Sequence, residues 1–291
     1  MTTFTAFTTL DGMAPAERLG AAMEGMQPEP MGVGVFDLED GSGLWEVGGY
    51  FRQAPDQAAL MLLAAAFDAR EFVVSEVPQT NWVAHVKRQL SPVRAGRFFV
   101  YGSHDVDQVP EGSVALLIEA AMAFGTGHHG TTQGCLRALE RLVNEGFVAR
   151  QVADIGCGTA VLAMAAARVF EARVLASDVD PVAVEVAQCN VAANRLGRKV
   201  KCVRADGLAH PALRDRAPFD LIFANIVKGP LIRLAPGIAA AVGAHSKVIL
   251  SGLLAQQCDD VVAQYSANGF QLQHREDIVE WSTLTLGKIS A

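Results

Sequence analysis

Apolar and polar positions follow two different rhythms along this chain. Over residues 1–77 the elements are short and mixed. Residues 3–8 alternate weakly, 14–25 repeat at helical spacing, and 31–38 and 42–51 alternate as strands about a turn at Glu39-Asp40-Gly41. A helical stretch at 55–67 and a strand at 71–77 follow. Alternation with period two marks a half-covered strand, and recurrence every three to four residues marks an amphipathic helix. The order β-α-β-β-α-β predicts a small ferredoxin-like α+β domain over residues 1–77. Residues 78–97 read as a linker with Pro78, Pro92, a short helix at 80–90 and the basic run Lys87, Arg88, Arg94 and Arg97. Trp82 and Val86 would share one face of that helix.

From about residue 150 the rhythm becomes strand then helix, repeated. Strands are expected at 152–155, 173–178, 200–206, 219–226 and 247–252, and helices at 161–169, 181–195, 230–242 and 255–267. Pro181 suits the first turn of its helix, where no N–H is needed. This alternation predicts an α/β domain with a parallel sheet covered by helices on both faces. The last two strands, 270–278 and 281–288, have no helix between them and predict an antiparallel hairpin at one edge.

Composition narrows the class. The 291 residues are 51% hydrophobic, enough for two domains, or for one large α/β domain with an addition. The net charge is −7, so the whole molecule offers no positive field to nucleic acid, although a local basic patch stays open. Five scattered cysteines form no Cys-x-x-Cys pair, which argues against a zinc site or a disulfide framework and fits a reducing cytoplasm. The first residues lack a basic start and an apolar signal core. The longest apolar run, Ala58 to Phe67, is about half a membrane span. A cytoplasmic protein without a membrane segment is expected.

Candidate chemistry lies at the ends of the strands, where an open α/β sheet binds its ligands. The first strand-to-helix junction is Asp154-Ile-Gly156-Cys-Gly158-Thr-Ala160. Gly156 and Gly158 permit a tight turn and a close ligand, or simply an ordinary glycine-rich connection. Asp178, 22 residues after Gly156, could accept from both hydroxyls of a ribose; it could instead cap the next helix, a role for which Asp180 is better placed. Val161 stands where a nicotinamide fingerprint has its third glycine, which disfavours a pyrophosphate ligand. Asp154 suits a ligand with an ammonium group, and S-adenosylmethionine has one, with a ribose and no phosphate. Asp206 could accept from the adenine amine or serve as a loop cap. Asn225, ending the fourth strand, could orient an amine nucleophile or form an Asn turn before Gly229-Pro230.

Upstream, Met122-Ala-Phe124-Gly-Thr-Gly-His128-His129-Gly130-Thr131-Thr132 is too polar and glycine-rich for a core element. It reads as a loop folded over a ligand, followed by a helix from about 131. The helix start and a threonine hydroxyl could hold a carboxylate. Phe124 is either an apolar wall beside the amine or part of the core. The paired histidines lack a third ligand at supporting spacing, so no metal is expected.

These motifs resemble a known family. Ala123-Phe-Gly-Thr-Gly-His-His-Gly-Thr-Thr132 is similar to the Ala-Phe-Gly-Thr-Gly-Thr-His-Pro-Thr-Thr signature of the bacterial ribosomal protein L11 methyltransferases (PrmA). The likeness continues through Asp154–Ala160, Asp178–Pro181, Asn225-Ile-Val-Lys-Gly-Pro-Leu231 and Ser251-Gly-Leu-Leu, with Asn81-Trp82 and Glu280-Trp281 as further matches. It covers residues 80 to 291, and residues 1–77 share only order and length.

The resemblance implies an N-terminal domain that docks a ribosomal substrate, a linker, and a seven-stranded class I methyltransferase domain over residues 98–291 with an antiparallel last strand. It further implies S-adenosylmethionine as cofactor and methylation of lysine side-chain and N-terminal amines on a ribosomal protein of the large-subunit stalk base. No direct reading of nucleic acid, no membrane and a monomer are expected. By motif position the cofactor contacts fall on Thr132, Gly156, Asp178 and Asn225, beside Asp154, Gly158 and Asp206 from the residues themselves. Asn225 and Phe124 are the candidates for holding the amine. Departures from the signature are His128 for threonine, Gly130 for proline, Ala160 for a glycine, and Glu119-Ala-Ala-Met in place of the Asp-Pro-Gly before it. They bear on the substrate mouth and leave open another protein lysine, or a small amine, as substrate. A non-catalytic binding protein on the same fold is the alternative from another class.

Overall fold

The computed structural model describes residues 3–30, 32–37, 43–77, 92–118 and 130–289. The chain divides into two compact units, Met1–Val86 and Lys87–Ala291. The expected turn at 39–41, the short helix at 80–90 and the glycine-rich loop through Phe124, His128 and His129 lie outside the described residues.

The first unit runs β1 (Thr3–Asp11), α1 (Met13–Glu24), β2 (Gly32–Asp37), β3 (Leu44–Phe51), α2 (Gln57–Phe67) and β4 (Val73–Val77). Its sheet order β2-β3-β1-β4, antiparallel throughout, is the ferredoxin-like arrangement that the pattern predicts. Ala6, Leu10, Val47 and Phe51 of the sheet and Ala16, Leu19, Met23 and Leu60 of the helices share one core. Helix α2 starts two residues later than the pattern suggests, because the Asp56 carboxylate accepts from the N–H groups of Ala58 and Ala59.

The second unit opens with a small sheet of β5 (Val93–Ala95), β6 (Phe98–Tyr101) and β7 (Val114–Leu117), which periodicity does not reveal. Strands of three or four residues are too short to display a period. Residues 93–95, counted with the connecting segment on sequence grounds, pair antiparallel with β6. Then come α3 (Gly130–Asn144), β8 (Gln151–Ile155), α4 (Val161–Val169), β9 (Arg173–Asp178), α5 (Pro181–Ala193), β10 (Val200–Arg204) and α6 (Pro211–Arg216). The remainder is β11 (Phe219–Asn225), α7 (Lys228–Ala241), β12 (Val242–Leu254), α8 (Cys258–Ala267), β13 (Phe270–Ile278) and β14 (Trp281–Lys288).

These strands form one seven-stranded sheet of order β10-β9-β8-β11-β12-β14-β13. The pairs from β10 to β12 are parallel, and β14 runs antiparallel to both neighbours. Alternate residues feed two cores. Val152, Val174, Leu221 and Phe223 face α3, α4 and α5, while Ala153, Leu175, Ile222 and Ala224 face the layer of α7 and α8. Helix α4 is buried on every side from Val161 to Ala167, as its almost wholly apolar sequence requires. The chain steps outward from β8 to β10 and returns to β11 on the other side of β8, so the sheet order reverses between β8 and β11. Crevices form at the carboxyl ends of strands at such a reversal.

Candidate active site

The loop after β8 is built from positive-φ residues. Gly156, Gly158 and Ala160 have φ of 69°, 51° and 62°. Two of the three are glycine, which carries no steric penalty there, whereas Ala160 bears about 1–2 kcal/mol of strain. The N–H groups of Gly156 and Cys157 both donate to the Ser177 carbonyl, at 2.8 and 2.9 Å. The Asp178 carboxylate accepts from the Gly158 N–H at 2.9 Å and from the Asp180 N–H at 3.1 Å. Asp180, in turn, caps α5 through the Val182 N–H. Asp178 is therefore not the helix cap. It ties the first turn to the second and keeps lone pairs for a ligand, since a carboxylate can accept about four bonds.

Asp154 is only 1% exposed. One oxygen accepts from the Ala163 N–H in the first turn of α4 at 3.0 Å, and the other is buried with no hydrogen-bond partner among the described residues. Burial raises its pKa to about 7, the Ala163 N–H opposes that, and the Asp178 charge adds to it. Burial also pushes the Cys135 and Cys157 thiols up, with Asp154 reinforcing it, so neither is a thiolate nucleophile at neutral pH.

On the other side of β8, Asn225 ends β11 beside Ser251 of β12. Its amide Nδ2 donates to Thr132 Oγ1 at 3.5 Å, a long bond that joins the end of β11 to the start of α3. Thr132 is buried at the start of α3. Three close approaches set this arrangement. A Cβ on Gly134 would stand 2.2 Å from Thr283 Oγ1, so glycine lets α3 press onto β14. A Cβ on Gly252 would come within 2.5 Å of the Ile226 carbonyl, and one on Gly156 within 2.3 Å of the Ile226 side chain. Ile226 thus fits between two glycines and locks the turn after Asn225 against the loop after β8.

Ser251 Oγ donates to the Ser282 carbonyl at 2.9 Å and is also 2.9 Å from Thr283 Oγ1, pinning β12 to β14 beneath the rim. Asn190 of α5 donates to the Thr159 carbonyl, holding the far end of the glycine loop. Asn194 accepts from the Leu117 N–H at 3.0 Å and donates to the Leu117 carbonyl at 2.7 Å, fixing the end of β7. Asn190 and Asn194 were not singled out from the sequence, and Ser251 entered only as part of the motif Ser251-Gly-Leu-Leu. Gly252 and the buried amides of α5 were the available signals: a lone glycine in a strand and asparagines in an apolar helix.

The expected residues therefore divide. Asp154, Gly156, Gly158 and Asp178 form one connected loop, and Thr132 and Asn225 meet across the reversal point. Asp206 follows β10 by two residues and is exposed; its main-chain carbonyl accepts from the Ala209 N–H, a turn bond that involves no side chain. Phe124 lies outside the described residues. Among the described residues no three His, Cys, Asp or Glu side chains are grouped to hold a metal, and no helix is long and apolar enough to cross a membrane.

Residues 24–288 match the family model described as ribosomal protein L11 methyltransferase (PrmA). The chain belongs to that family. It is 42% identical to the ribosomal protein L11 methyltransferase of Mesorhizobium japonicum over 91% of this chain and 92% of the other. It is 40% identical to that of Brucella suis over 90% of this chain and 93% of the other. Among solved structures, the ribosomal protein L11 methylase of Lactobacillus delbrueckii subsp. bulgaricus superposes with a TM-score of 0.61 at 25% identity, over 68% of this chain and 99% of that one. The chain is thus a class I methyltransferase.

Two outcomes follow from the geometry. Gly252→Ala forces a Cβ into the Ile226 backbone at φ 81°, and should lower stability by roughly 2 kcal/mol or more in a urea titration. An unchanged midpoint would show that the turn can shift. Asp154, with its folded pKa near 7, holds its proton between about pH 4 and 7, where the unfolded chain has released it. Its contribution to stability is fully present below about pH 4 and is lost as pH rises through 7. Asp154→Asn removes that loss. The variant should gain on the ligand-free wild type with rising pH, by up to the order of 4 kcal/mol. Parallel stability curves would mean an ionised Asp154 throughout.

Proposed function

We propose that this methyltransferase transfers methyl groups from S-adenosylmethionine to lysine side-chain and N-terminal amines of ribosomal protein L11, a protein of the large-subunit stalk base. The observation that carries this reading is the meeting of two separate pairs at one rim: Asp178 with Gly158, and Asn225 with Thr132. The relatives named above supply the substrate. In this reading the first unit recognises the ribosomal protein, the segment after it connects, and the second unit carries the cofactor.

The residues fit the cofactor on two structural grounds. The buried Asp154 oxygen, without a hydrogen-bond partner among the described residues, is an acceptor suited to an ammonium group, and the positive-φ glycines leave bare backbone for close approach. Asp154, Gly156, Gly158 and Thr132 would hold the amino acid end, Asp178 the ribose, and Asp206 the adenine amine. The bound sulfonium supplies an activated methyl and a positive charge beside the acceptor amine.

The chain's own task is then to position a neutral amine. A free lysine has a pKa of about 10.4, so deprotonation at pH 7 costs roughly 4.6 kcal/mol. An apolar pocket lowers that cost by disfavouring the charged amine. The proton can leave to water before the amine enters, and no side chain is needed as a base. The side-chain carbonyl of Asn225 accepts from the amine and aims its lone pair, with Phe124 as an apolar wall. Alignment of this kind carries much of the rate in such displacements. Another protein lysine or a small amine is the competing substrate, favoured by the His128-His129-Gly130 departure from the signature.

The test is incubation with labelled S-adenosylmethionine and a ribosomal extract. One labelled band at the mass of L11 is expected, and a different band would replace the substrate. Asp178→Ala should weaken cofactor binding by about 10–100-fold in calorimetry, as a charged acceptor is lost. Unchanged affinity would remove its role. Asn225→Ala should lower kcat about tenfold or more with a smaller effect on cofactor affinity, the cost of one positioning hydrogen bond. Intact turnover would show that the amine is held elsewhere.

A further inference from the structure

At the amino ends of β9 and β10 lies a cleft of about 490 Å3 whose lining includes Arg173, Arg198, Lys199, Lys201, Arg216 and Gln188, and no carboxylate. Arg173 begins the strand that Asp178 ends. Five steps at about 3.3 Å put the two roughly 17 Å apart, at opposite ends of the sheet. The cleft is therefore separate from the methyl-transfer rim. Its five positive charges stand out in a chain of net charge −7.

These cations are weakly engaged by the protein. Lys199 donates to the Ala167 carbonyl at 3.2 Å and lies 3.9 Å from a Glu171 side chain that is 98% exposed. Arg173, Arg198 and Lys201 are exposed. Arg216 has a buried Nη1 with no hydrogen-bond partner among the described residues. A buried guanidinium nitrogen without an acceptor calls for an anion.

We propose that this cleft seats the phosphodiester backbone of RNA; the choice of RNA as the polyanion rests on the ribosomal reading above. The charges come from the start of β9, the turn before β10, β10 itself and the end of α6, a spread that suits successive phosphates better than one small ion. No aromatic side chain lines the cleft, and its one aliphatic side chain, Val200, is itself buried. Protein–protein contacts centre on apolar and aromatic anchors, and base stacking needs rings. Backbone binding needs only cations, with arginine forks matching phosphate oxygens. The contact carries no sequence preference.

The test is fluorescence anisotropy of a labelled RNA hairpin against the full chain across a salt series, with methyl transfer to isolated L11 read in parallel. Binding should weaken with salt. Arg198→Ala with Lys201→Ala should weaken it about tenfold or more and lower the log–log salt slope by roughly two, near one per contact. Both residues are exposed, so folding should survive. Arg18→Ala with Arg52→Ala, exposed positions in the first unit, should change neither quantity, and methyl transfer should persist in all variants. No RNA binding by the wild type, equal binding by the cleft variant, release of RNA by low millimolar inorganic phosphate, or tighter binding of polyglutamate would each overturn the proposal. RNA binding lost with the cleft charges, but no methyl transfer in any variant, would support the cleft and sink the functional reading instead.

Discussion

A backbone N–H of Gly158 donating to the carboxylate of Asp178 joins the turn after β8 to the turn after β9. A charged acceptor makes this bond stronger than a neutral one. It also demands that the carboxylate stay at the strand end, because Gly156 and Cys157 hang from the preceding carbonyl of Ser177. The first two turns are therefore one rigid piece. The turn after β11 attaches to it through Ile226, for which glycines at 156 and 252 leave room. If either constraint relaxed, the rim would lose its shape without any change in its list of residues.

Asp154 adds an electrostatic constraint to that geometric one. A carboxyl group with a pKa near 7 and one buried oxygen without a partner among the described residues is a destabilising element in the free protein. A cationic ligand relieves it. Strain of this kind, like the positive φ of Ala160, is characteristic of sites that bind something, and here both lie within seven residues of one loop. The opposite end of the same sheet gathers five cations with few internal partners. One sheet thus carries two faces of different charge character, an acidic rim at the carboxyl ends and a basic cleft at the amino ends.

Much of the fold is legible in the chain because long periodic runs have only one way to bury their apolar side. Val161–Val169, Arg173–Asp178 and the closing hairpin of Phe270–Ile278 and Trp281–Lys288 fall where the pattern places them. Shorter or interrupted pieces do not. Helix α6 has six residues, too few to show a helical stripe. Strand β12 runs from Val242, well before the expected 247, because its first residues gain from pairing with Phe219 across an irregular register rather than from their own alternation.

By itself the sequence determined the alternation of strands and helices, the placing of glycines and acids at strand ends, and the signature that matches the family. Those features are local, since a period, a turn residue and a motif are each read within a few neighbours. Only the tertiary structure decided that Asp178 grips Gly158 while Asp180 caps the helix, that Asn225 reaches Thr132 across 93 positions, and that cations from four elements share one cleft. Such contacts depend on strand order and on close backbone approach. They arise only when the sheet closes up and brings distant segments within bonding distance.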